Sequence, residues 1–116
     1  SPLFEKLAKA IDESLEQAST KSDEAFILLS RANLCYNTSD WEKGLGLARD
    51  ALNLYEALDD PLYQVRCLMT MGSHAWACGD YELTTECHTR AWKLLEQVEV
   101  PFFKALILRE MGVVAS

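Results

Sequence analysis

"ACGDYE", residues 77–82, and "NTSDWE", residues 37–42, punctuate the chain at matching points. Each sets an aspartate, an aromatic and a glutamate between two stretches of helical periodicity, and Asp80 follows Asp40 by 40 residues. Gly79, one of five glycines, is expected to let the chain turn. Asp40 and Asp80 are expected to accept from the orphan amides of the helices that follow, with Glu42 and Glu82 favourably placed in the first turn. Tyr81 and Trp41 are then expected to wedge between paired helices.

Laying residues 61–100 over 21–60, and 101–116 over 61–76, extends the match. Pro61 falls on Pro101, each followed by a bulky apolar residue and an aromatic ("PLY", "PFF"). Leu28, Leu68 and Leu108 share a column, as do Ala32, Gly72 and Gly112. Ala51 pairs with Ala91 and Leu54 with Leu94. Concordance at a fixed spacing marks an internal repeat.

Within the period the apolar rhythm is helical. Ala25, Leu28, Leu29, Ala32 and Cys35 recur at steps of three and four, as do Val65, Leu68, Met69, Gly72 and Ala75. Leu45, Leu47, Ala48, Ala51, Leu52 and Tyr55 continue it. Asp60 precedes Pro61, a residue suited to a first helical turn. Thr20 stands in the equivalent place, with Asp23 as a reciprocal cap. The resulting map is a helix at about 2–18, pairs at about 21–37 with 41–58 and 61–78 with 81–98, and a last helix from about 101 to the end. Such hairpins bury their apolar stripes only against neighbours.

These columns resemble the tetratricopeptide repeat, in a long-helix variant with a period near 40 in place of about 34. "MG" at 71–72 and 111–112 supplies the apolar–small pair of the first helix, and "GDY" at 79–81 the turn. "RDAL" at 49–52 and "TRAW" at 89–92 carry the mid-helix alanine, and Pro61 and Pro101 open the next units. Arg31 stands where the pattern has Met71 and Met111, Ser39 replaces the glycine, and Gly44 and Thr84 stand where the family usually has alanine. The resemblance implies an all-α fold: a right-handed superhelix of stacked antiparallel helix hairpins, an α-α solenoid of about six helices. It divides the segment 1–116 into an unpaired helix (1–20), two repeats (21–60 and 61–100) and the start of another (101–116). A fragment of a longer array is expected, with terminal helices able to stack on or exchange with another copy as a homodimer.

The net charge of -7 argues against general binding to nucleic acid or anionic membrane. No apolar run reaches the roughly 18 residues of a spanning helix. Cys35, Cys67, Cys78 and Cys87 lack CxxC spacing and lie in apolar patterns, so buried free thiols and a cytoplasmic location are expected. No GxGxxG, P-loop, GxSxG or HExxH is present, and "GLG" at 44–46 lies inside a helical pattern, so no catalytic residue and no cofactor is assigned. His74, Cys78, Cys87 and His88 offer zinc-type ligands. Adjacent helical residues such as Cys87 and His88 point about 100° apart, however, so core roles fit better and no metal is assigned.

The resemblance also implies a ligand-lining stripe along the first helix of each pair. Its positions fall at Phe26, Leu29, Asn33, Tyr36 and Asn37, and at Arg66, Met69, Ser73, Trp76 and Ala77. Leu106, Arg109 and Val113 would follow in the last helix. Spacing agrees: Leu29, Asn33 and Tyr36 share a stripe, as do Met69, Ser73 and Trp76. Aromatics beside Asn, Ser and Arg combine flat apolar contact with directional polar groups, a mixture suited to peptides. The carboxylate clamp of one subclass is incomplete, with Asn33 and Arg109 in place but Leu29, Ser73 and Val113 departing from it. Two classes of function fit. One is a non-catalytic module of a regulatory protein that binds a protein or peptide, or self-associates. The other is a sensory domain that binds a small ligand or signal peptide and controls an attached output domain such as a nucleotide cyclase, kinase or transcription regulator.

Overall fold

The computed structural model describes residues 2–16, 20–98 and 109–112. Five helices are described: α1 (Pro2–Glu16), α2 (Lys21–Asn37), α3 (Trp41–Ala57), α4 (Pro61–Ala77) and α5 (Tyr81–Gln97). No strand occurs among the described residues. The last four helices are each 17 residues long. Their three-residue connections force each chain reversal, so α2 packs on α3, α3 on α4 and α4 on α5. Helix α1 packs on α2, where Asp12 pairs with Arg31. No helix among the described residues is long and apolar enough to cross a membrane.

The three connections share one geometry. In each, the last connecting residue returns its amide to a carbonyl five residues back: Asp40 to Cys35 at 3.0 Å, Asp60 to Tyr55 at 3.1 Å and Asp80 to Ala75 at 2.8 Å. The residue before it takes a left-handed conformation, with φ of 59° at Ser39, 53° at Asp59 and 84° at Gly79. Only Gly79 does so without a Cβ penalty. The turn at 58–60 thus matches the other two, although its "LDD" carries no glycine to announce it.

Three of the four expected caps form. Thr20 Oγ1 accepts from the Asp23 amide at 3.1 Å, Asp60 Oδ1 from Tyr63 at 3.2 Å and Asp80 Oδ1 from Leu83 at 3.1 Å. Asp40 makes no side-chain cap bond. Small residues (Ala25, Ala32, Ala48, Ala51 and Ala91) let helix backbones approach, and Leu52, Val65, Leu68, Met71 and Leu95 fill the seam. Complete burial of such side chains contributes about 1.5–3 kcal/mol each. Tyr55 joins them, its ring stacked on Tyr63 at 4.8 Å, and burial pushes its phenol up to about 12.

Several expectations need correction. Tyr81 does not wedge between helices: it is 61% exposed and leans on Trp76 with ring centroids 6.1 Å apart. Trp41 is half-buried, beside Ala77 at the end of α4 and Cys78 of the α4–α5 connection. Cys78 follows the last turn of α4 and is exposed, whereas Cys35, Cys67 and Cys87 are buried. The column Ala32–Gly72–Gly112 breaks at its last member: Gly72 lies within α4, but Gly112 has a φ of 77° in a turn closed by its amide on the Arg109 carbonyl at 3.1 Å. The helix expected from 101 to the end is therefore interrupted there, and its remaining positions, Leu106 and Val113 included, lie outside the described residues.

Candidate functional site

A groove opens between α2, α4 and the segment 109–112. It contains two adjoining cavities of about 430 and 180 Å³ that share Tyr36, Ser73 and Glu110. Asn33, Met69, Thr70 and His74 complete the larger wall, and Trp76 with Gly72, Thr84 and His88 the smaller. Helix spacing explains the α4 wall. Met69, Ser73 and Trp76 advance by four and three residues, which keeps them on one face of a 3.6-residue helix. Asn33 and Tyr36 do the same on α2.

The two aromatics stand differently. Trp76 is 60% exposed, with Tyr81 braced against it. Tyr36 is 43% exposed and meets the His74 ring edge-on at 5.4 Å. Between the walls, the Thr70 hydroxyl donates to Asn33 Oδ1 at 2.9 Å and ties α4 to α2.

His74 lies beneath this floor, only 1% exposed. Its Nε2 lies 2.9 Å from the Ala32 carbonyl of α2, and its Nδ1 lies 2.7 Å from the Thr70 carbonyl. Carbonyl oxygens only accept, so a neutral ring donates to one of them at a time. Room for the ring exists because residue 44 is glycine: a Cβ there would overlap His74 Nε2 and Cδ2. His88 has a similar arrangement, since a Cβ on Gly72 would come within 3.0 Å of its Nε2. Burial lowers the His88 pKa below its ordinary 6.5, opposed by the Glu110 carboxylate. Among the described residues no three His, Cys, Asp or Glu side chains converge as metal ligands do.

The stripe expected from sequence is brought together only in part. Asn33, Tyr36, Met69, Ser73 and Trp76 share the groove. Leu29 does not: it is 2% exposed and belongs to the core with Ala25 and Ala32. Phe26 and Arg66 form a separate cluster around Tyr63, Phe26 edge-on at 6.3 Å and the Arg66 guanidinium 5.1 Å from the ring centre. Asn37 is exposed beyond Tyr36, its amide 3.5 Å from the Asn33 carbonyl. Ala77 faces the Trp41 turn, and Arg109 is exposed outside both cavities. The expected stripe omits six lining residues, Thr70, Gly72, His74, Thr84, His88 and Glu110; of these, Thr70 and Glu110 occupy one column of the 40-residue register, which is the signal available for them.

No family model, curated protein or solved structure matches the chain.

Proposed function

We propose that this chain is a tetratricopeptide-like solenoid segment serving as a non-catalytic interaction module of a regulatory protein, with a peptide or partner surface held in the groove between α2 and α4. The right-handed superhelical stacking of its hairpins belongs to the same proposal. One observation carries the reading: Trp76 and Tyr36, two large aromatics, stand exposed on facing walls beside Asn33 and Ser73. Exposed aromatics flanked by neutral polar groups are what buried anchors of protein interfaces look like before the partner arrives.

The test separates binding from folding. Trp76→Ala is expected to change unfolding free energy by no more than about 0.5 kcal/mol, as at other exposed sites. The same change should weaken peptides selected on the intact chain by about tenfold or more. A large drop in melting temperature with unchanged peptide affinity would reassign Trp76 to packing and end the groove reading.

A further inference from the structure

Building on that groove reading, we infer that its occupant is an extended segment of a partner protein carrying a lysine or arginine, whose charged head sits at Glu110 and whose stem lies along Tyr36 and Trp76. Charge decides it. Among the described residues that line the two cavities, Glu110 is the only carboxylate, and it borders both. No ion pair to Glu110 occurs among the described residues. No described lysine or arginine side chain lines either cavity: Arg66 lies over Tyr63, and Arg109, although adjacent in sequence, lines neither.

The remaining groups suit a cation. Aromatic faces attract ammonium and guanidinium groups, more strongly when water is displaced. The aliphatic stem of a lysine or arginine covers apolar surface while its head stays polar. Both His74 nitrogens face backbone carbonyls, and burial disfavours the charged form of His88, although the Glu110 carboxylate opposes that shift. The net charge of -7 adds an attractive field for a basic segment and a repulsive one for an acidic one. A peptide C-terminal carboxylate, the ligand of the clamp described above, would meet Glu110 as a like charge.

A random linear peptide library displayed against the intact chain tests this, followed by synthetic fluorescein-labelled peptides read by anisotropy. Selected peptides should share a lysine or arginine at one position. Replacing it by norleucine should raise Kd by about tenfold, the scale of a charge-assisted contact. Glu110→Gln should cost a similar factor with melting unchanged, Glu110→Asp should recover part of it, and Glu110→Gln should abolish the distinction between lysine and norleucine. If selected peptides need Trp76 yet tolerate norleucine, or carry acidic residues instead, the cation is wrong and the groove stands. If none depends on Trp76, the groove reading falls, and this inference with it.

Discussion

The hairpins α2–α3 and α4–α5 meet the same demand with different chemistry. Ala32 and Gly72 occupy one column, and each carbonyl lies within hydrogen-bond reach of a side chain outside its own helix. In the second hairpin the donor is internal: Thr84 Oγ1, from α5, reaches the Gly72 carbonyl at 3.0 Å. In the first hairpin the column of Thr84 holds Gly44, which has no hydroxyl to offer. The space is filled by His74 of the following helix, whose Nε2 lies 2.9 Å from the Ala32 carbonyl. The second hairpin closes this contact by itself, whereas the first closes it only by docking on α4. A departure from the repeat pattern thus becomes a key between units, and the key lies directly under Tyr36.

Making the first hairpin resemble the second should therefore produce the largest effect. Gly44→Thr places a Cβ into the His74 ring, and the neighbouring Cys35 Cβ, at 3.0 Å, leaves little room for escape. A loss of about 3 kcal/mol is expected in urea unfolding. Adding His74→Leu removes the obstacle and lets the introduced hydroxyl take the role that Thr84 plays. The double variant should regain about 2 kcal/mol relative to the sum of the two single changes. Additive losses would show that the two hairpins are not alternative solutions to one problem.

A smaller contrast comes from adding a single methyl group at three helical glycines. At Gly44 alanine meets His74, pinned at both nitrogens, so about 2 kcal/mol is expected to be lost. At Gly72 the obstacle is His88 at 3.0 Å, beside the open groove and able to give by a few tenths of an ångström. Gly72→Ala should then come close to neutral, because the gain in helix propensity of about 1 kcal/mol offsets the crowding. Gly46 has nothing within 4 Å of its added Cβ, so Gly46→Ala should stabilise by about that same 1 kcal/mol. If the three fall in another order, the space around the histidines is not what separates them.

The helices were legible because their ends depend on local chemistry. Asp60, Pro61, Asp80 and Gly79 act through their own backbone neighbourhood, and the boundaries follow them to within a residue. The turn at Asp59 was less visible, since a non-glycine residue there adopts positive φ under the direction of the surrounding bonds. The groove was legible only in part. The resemblance puts Leu29 in the groove, whereas its spacing from Ala25 and Ala32 puts it on the core stripe, where it lies. The roles of His74 and His88 depend on missing side chains at Gly44 and Gly72, on another helix or another turn. No window along the chain displays such a long-range vacancy.

The last distinction concerns acid. His88 belongs to the second hairpin, and the first has Ala48 in its column, so only one hairpin carries this titration. Its folded pKa is depressed below the ordinary 6.5 by burial, so the unfolded chain binds its proton first as pH falls. The associated stability is complete above about pH 6.5 and is lost as pH drops through the lower folded value. Carboxylates titrate in acid as well, so the informative quantity is the difference between the native chain and His88→Leu in urea unfolding from about pH 7.5 to pH 5. Stability should decline more steeply in the native chain. Glu110→Gln should deepen that decline, because its carboxylate is what holds the folded pKa up. Identical pH profiles for the native chain and His88→Leu would mean that the histidine charges freely, and that the second hairpin is no drier around its ring than water.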